Sequence, residues 1–199
     1  MSRRGFLALL LALAARPAAA GNQVYEELAA SVRASMQASI ADRAVPHLNF
    51  NDPGDGHRWL NEMHRRLRPR MPDRKVRHDF LVTAHYEAVR NRLPPQLVLG
   101  LIEVESGFRK YAVSSAGARG YMQVMPFWIR LIGEPRHNLF HLRTNLRYGC
   151  VILRHYLDVE KGDYFRALGR YNGSLGRAEY PNLVKAHWQG KWRYDGPIG

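Results

Sequence analysis

Apolar positions recur along most of this chain with a helical period. In "VYEELAASVRASMQASIADRA", Val24, Leu28, Val32, Met36 and Ile40 stand at steps of four, the spacing that lines one face of an α-helix. "HLNFNDPGDGH" then breaks the pattern with Asn, Asp, Pro and Gly, and reads as a loop. A second helix is expected over "RWLNEMHRRLRPR", ending near Pro69, and a third through "DRKVRHDFLVTAHYEAVRNRL", with Asp73 placed to cap its start. The composition changes at Pro94-Pro95. "LPPQLVLGLIEVESGF" predicts a helix that Pro95 opens, where a missing N–H costs nothing, and that Gly107 closes. Further helical patterns follow in "TNLRYGCVILRHYLDVE" and "DYFRALGRY". Strand signal is weak throughout, so the chain reads as mainly α.

The helix after Pro95 carries a carboxylate where a core helix should not. Counting about 100° per residue from Leu97, Leu101, Val98 and Ile102 fall within roughly 140° of one another, and Glu105 falls near 80°, inside that arc. Glu103 falls on the opposite side, among Gln96 and Gly100, and is expected to be solvated or to cap. A buried ionised carboxylate is costly, so Glu105 must pair with a cation, stay protonated or line a cleft. Periodicity leaves two readings open: a core glutamate satisfied by an arginine, or a carboxyl kept protonated by desolvation and able to donate its proton near neutral pH.

Length, charge and cysteine usage narrow the setting. The 199 residues are enough for one good core and an appendage. A formal charge of +13 calls for a polyanionic environment: nucleic acid, acidic headgroups or an anionic cell wall. "MSRRGFLALLLALAARPAAAG" has a basic start, a short apolar stretch and an Ala-x-Ala ending at Ala20, the pattern of a secretory signal peptide too short to span a bilayer. "SRRGFL" also fits a twin-arginine signal. Cleavage after Ala20 would remove three of the positive charges, leave no stable membrane span and place the chain outside the cytoplasm, where nucleic acid is a poor partner. The single Cys150 can form no internal disulfide, and its apolar neighbours in "YGCVIL" mark a buried small hydrophobe. The basic run from His64 to Arg77 reads as a solvated face or as a weak tether to an anionic polymer.

"ESGFRKYAVSSAGARGYMQVMP" and "ALGRYNGSLGRAEYPNLV" resemble the lytic transglycosylases with a soluble-lytic-transglycosylase (SLT) domain, lysozyme-like enzymes that cleave bacterial peptidoglycan. The resemblance runs from about Leu93 to Trp192: Glu-Ser-x-aromatic, a serine, Gly-x-Met-Gln-x-Met-Pro, Asn-Leu with glycine, then Tyr-Asn, in that order. It implies a lysozyme-like catalytic domain over residues 93–193. An N-terminal helical extension over 21–92 would precede it, a signal peptide over 1–20 would lead, and a tail over 194–199 would follow. Glu105 matches the catalytic acid/base. Ser114, Gln123 and Met125 match substrate-binding positions, and so do Tyr171 and Asn172, the tyrosine hydroxyl being expected to orient the glutamate. Asn145, Leu146 and Gly149 match a packing motif. Three departures bear on substrate preference: Tyr121 in place of the usual leucine, Phe127-Trp128 after Pro126, and the ending "YNGSLGR".

Hydrolytic glycosidases generally use two carboxylates. The resemblance implies that one is enough here, because the sugar's own C6 hydroxyl replaces water and closes a 1,6-anhydro ring; no metal and no cofactor is expected. The expected partner is the peptidoglycan glycan strand, in the periplasm or cell wall. Tyr111, Tyr121, Trp128 and Trp188 could stack on sugar faces or pack the core, and His137 and His141 have helical spacing without an evident third metal ligand. The alternatives are a hydrolytic muramidase resembling the goose-type lysozymes and an inactive cell-wall-binding protein.

Overall fold

The computed structural model describes residues 23–199, so the expected signal peptide lies outside the described residues. Eight helices follow one another among these residues: α1 Ala30–Ala41, α2 Pro53–Leu67, α3 Arg74–Arg90, α4 Pro95–Ser106, α5 Phe127–Ile132, α6 Leu142–Val159, α7 Tyr164–Asn172 and α8 Glu179–Gln189. The extended pairing described is two isolated bridges, Val113 with Arg119 and Arg119 with Val124, in the turn after α4. The mainly α expectation is met. No helix among the described residues is long and apolar enough to cross a membrane.

Helix α4 is the axle of the fold. Leu97, Val98, Leu99, Leu101 and Ile102 are all fully buried, because α3 packs against it on one side and α8 on another. Each such side chain contributes about 1.5–3 kcal/mol of burial energy. Gly100 lets α8 come close: a Cβ there would stand 3.0 Å from the Trp188 backbone nitrogen. Gly107 ends the helix in the left-handed region, φ 57°, and its N–H bonds to the Glu103 carbonyl.

Local caps explain the starts of α3 and α7. Asp73 accepts from the Val76 N–H at 2.8 Å, and Asp163 accepts from the Arg166 N–H at 3.1 Å. Two boundaries differ from the sequence expectation. Helix α2 begins at Pro53, inside the segment read as a loop, because the Asp52 side chain caps Gly54 and Pro53 takes the first turn. Helix α1 begins at Ala30, so Val24 and Leu28 belong to a segment without regular structure although they continue the four-residue step; Leu28 is buried and Val24 is exposed.

A buried ion cluster fastens α1, α3 and α6 together. Glu87 is fully buried and accepts from Arg90 at 2.8 Å and Arg147 at 3.2 Å. Arg147 also donates to the carbonyls of Ile40 and Asp42, at the end of α1 and just past it. In the basic run, Arg77 is buried rather than solvated; it donates to His64 Nδ1 and to the carbonyls of Met71 and Pro72. Arg66 reaches the carbonyls of Lys191 and Arg193. Cys150 is fully buried, and burial pushes its thiol well above the ordinary range.

Candidate active site

Glu105 lies in the last turn of α4 and is only 4% exposed. Desolvation pushes its carboxyl up to about 8 from the usual 4.5, against a smaller opposing effect of a hydrogen bond from the Tyr180 hydroxyl to Oε1 at 2.5 Å. The helix carbonyls at this end also disfavour an anion. Oε2 is buried without an internal partner, and no arginine or lysine contributes to the shift. Of the two readings that periodicity left open, the arginine-paired core glutamate is therefore not what the fold builds. A buried carboxyl with this environment stays protonated at neutral pH and has one oxygen uncommitted.

The turn between α4 and α5 brings the next group of expected site residues together. Gln123 is buried with φ 48°, and its Nε2 donates to the carbonyls of Ala112 and Gly120 at 3.1 and 2.9 Å, which spans and fixes the turn. Ser114 accepts from the Ala118 N–H at 3.1 Å in the same turn and is half-buried. Asn145, on α6, clamps the turn from below: Oδ1 accepts from Met122 N–H, and Nδ2 donates to the carbonyls of Arg119 and Leu139, all at 2.8 Å. Met125 is half-buried, two residues on from Gln123.

Tyr171 and Asn172 close α7 and are both buried. The Tyr171 hydroxyl donates to the Met122 carbonyl at 2.8 Å, so its bond secures the turn rather than the glutamate. Tyr171 is near enough to Glu105 for the carboxylate's charge to add to the upward push that burial exerts on its hydroxyl. The hydroxyl that meets Glu105 comes instead from Tyr180 on α8, a residue that the sequence motifs did not single out. A signal for it was present: it shares the buried face of α8 with Val184 four residues on, and a buried phenol needs a partner.

Glu103 departs from the solvated role expected of it. It accepts from Lys191 at 2.5 Å, Trp192 Nε1 at 2.7 Å and His187 Nδ1 at 3.1 Å. Burial pushes its carboxyl up, but the bonds from Lys191 and Trp192 outweigh it and hold the group below its usual range. Two glutamates two residues apart thus end in opposite states, one charged and bracing α8, the other neutral.

A model of the transglycosylase SLT domain family matches residues 83–190, more than half of the chain. The chain belongs to this family. Its mainly α architecture is accordingly that of a lysozyme-like SLT domain with helices α1 and α2 ahead of it. Among curated relatives, it is 33% identical over 95 residues to the transglycosylase of Enterobacteria phage PRD1, covering 48% of this chain and 35% of that one. It is 56% identical over 47 residues to the membrane-bound lytic murein transglycosylase C of Actinobacillus pleuropneumoniae serotype 5b (strain L20), covering 24% of this chain and 13% of that one. The chain thus spans about a third or less of the length of these relatives.

Of the aromatics considered for sugar stacking, Tyr121 and Trp128 are buried in the core of the SLT domain and Tyr111 is 70% exposed. Trp188 is half-buried against Tyr164. His137 and His141 stand in the connection between α5 and α6, outside any helix. His137 Nδ1 meets the Tyr148 hydroxyl at 2.8 Å, and His141 precedes the first turn of α6. Among the described residues no group of three or more His, Cys, Asp or Glu is placed to hold a metal ion.

Proposed function

We propose that this SLT-domain chain is an exported peptidoglycan lytic transglycosylase that cleaves the β-1,4 bond between N-acetylmuramic acid and N-acetylglucosamine. Glu105 is its general acid and then its base. The observation that carries the reading is the isolated state of Glu105: buried, held at Oε1 by Tyr180, with Oε2 uncommitted and no cation beside it. The names of the relatives, one of them a lytic murein transglycosylase, support the same substrate class.

In this reading Oε2–H protonates the leaving glycosidic oxygen as the bond to the muramyl C1 breaks. The carboxylate left behind then takes the proton of the muramyl C6 hydroxyl, whose oxygen bonds to C1 and gives a 1,6-anhydro end. The acid is regenerated and no water is consumed. Tyr180 keeps Oε1 occupied, so the proton sits on one defined oxygen. Ser114, Gln123, Met125, Tyr171 and Asn172 form the substrate-binding wall; the neutral character of these groups avoids adding a charge that would stabilise the carboxylate. The pattern of residues 1–20 supports export to the periplasm or cell wall.

Purified sacculi digested by wild-type protein and by Glu105→Gln, followed by mass analysis of the muropeptides, test the assignment. Wild type is expected to give anhydro-ended products, one water lighter than hydrolysed ones. The variant should lose a factor on the order of 10²–10⁴ in rate. Reducing ends carrying solvent oxygen would instead identify a hydrolytic muramidase, and full activity in Glu105→Gln would remove Glu105 from the mechanism.

A further inference from the structure

The segment Gln23–Ala29 precedes α1 without regular secondary structure, and Gln23 touches Gln123 and Met125, two of the residues proposed to bind substrate. Gln23 is 4% exposed and its carboxamide is fully engaged there. Oε1 accepts from the Met125 N–H and from Trp128 Nε1–H, both at 3.1 Å, and Nε2 donates to the Gln123 carbonyl at 3.3 Å. A sugar acetamido group offers the same pair of functions, one carbonyl oxygen and one N–H, so Gln23 occupies groups that suit an N-acetylated glycan.

From these contacts we infer that residues 23–28 form an autoinhibitory strap, which fills the acetamido-binding part of the site with the Gln23 carboxamide and must be displaced before a glycan strand can reach Glu105. The inference rests on the transglycosylase reading of that site. Two features separate a strap from a structural brace. First, the Gln23 carboxamide sits on backbone groups of Gln123 and Met125, two residues of the proposed substrate-binding wall. Second, the strap is held by its side chains alone. Val24, Tyr25, Glu26 and Glu27 are exposed, and no described backbone–backbone hydrogen bond outside the helices involves residues 23–28. Leu28 is its buried anchor; Tyr25 meets Phe127 edge-on at 5.9 Å, and Glu26 pairs with Arg170 at 2.9 Å near the surface. Rotation about the residues before α1 would lift Gln23 while Leu28 stays seated.

The test compares wild type with Gln23→Ala on soluble glycan strands, and Glu105→Gln with Glu105→Gln/Gln23→Ala by calorimetric titration with tri-N-acetylchitotriose. Removing the carboxamide should raise kcat/KM, and lower the chitotriose Kd, by roughly tenfold, since each lost bond is worth a factor of about 2–10. Unchanged values, or weaker binding together with a lower Tm, would make Gln23 a brace and overturn the strap. Tighter binding by Gln23→Ala with no product from any protein would keep the strap and overturn the transglycosylase reading. A second variant, Glu26→Cys/Arg170→Cys joined through a reducible bis-methanethiosulfonate spacer, ties the strap down across the ion pair. The linked form should lose chitotriose binding and regain it on reduction, and binding that persists when linked would also overturn the strap.

Discussion

Replacing Glu105 with glutamine should change stability in a way that depends on pH, and the size follows from the site. The unfolded chain ionises this carboxyl near its usual 4.5, whereas burial holds the folded one up to about 8. The folded state therefore binds the proton more tightly. Below pH 4.5 both states are protonated and Glu105 carries no ionisation penalty. As pH rises from 4.5 the unfolded chain gains by ionising and the folded chain cannot follow, so stability falls until about pH 8 and then levels. At pH 7 the accumulated loss is about 3 kcal/mol. Glutamine has no proton to lose and keeps an oxygen for the Tyr180 hydroxyl, but its amide N–H₂ would take the place of the unpartnered Oε2. That adds a fixed offset of about 1–3 kcal/mol that does not vary with pH. Urea denaturation of both proteins at pH 4, 7 and 8.5 separates the two contributions. Relative to wild type, Glu105→Gln should gain about 3 kcal/mol between pH 4 and pH 7. Parallel stability curves would show that Glu105 ionises normally in the folded protein, and the desolvated acid would have to be abandoned.

The other expectations follow from single contacts. Tyr180→Phe removes the one bond that favours the carboxylate, so the alkaline limb of the pH–activity profile should move to higher pH; a limb that moves down or stays would contradict the contact. In Gly149→Ala the new methyl would collide with the Met122 side chain, and overpacking should cost about 1–3 kcal/mol by thermal denaturation, with activity reduced through the displaced turn. Arg147→Met strips one of the two close cations from fully buried Glu87 and should cost about 3 kcal/mol in urea unfolding. An unchanged midpoint there would mean that Arg90, with Arg143 at 3.8 Å, suffices to neutralise the site.

The periodic part of the fold was legible from residue types because helices are local objects. Asp73 caps α3, and Pro95 and Gly107 bound α4, as read from the sequence, since each acts on backbone groups within a turn of itself. The same locality misled at two ends. A four-residue apolar step continued back to Val24, but Gln23 is claimed by groups a hundred residues away, and the chain there is not helical. Proline and glycine after Asp52 looked like a loop, yet a capped first turn absorbs both.

For the candidate site, the angular position of Glu105 within an apolar arc was enough to turn it inward. What it would meet there depended on helices far along the chain. The hydroxyl bonded to Glu105 is that of Tyr180, on α8, while the expected Tyr171 turns to Met122; the two phenols are chemically alike, and only the packing of α8 onto α4 separates them. Glu103 shows the same division: periodicity placed it on the far side of the helix, and the arrival of Lys191 and Trp192 made that side a braced contact. Residue order thus dictates which backbone turns helically and which way each side chain leaves it, because those are short-range steric and hydrogen-bonding choices. Which groups meet around Glu105, and so whether its proton is held, is a matter of long-range packing, because desolvation is set by neighbours that chain order does not bring together.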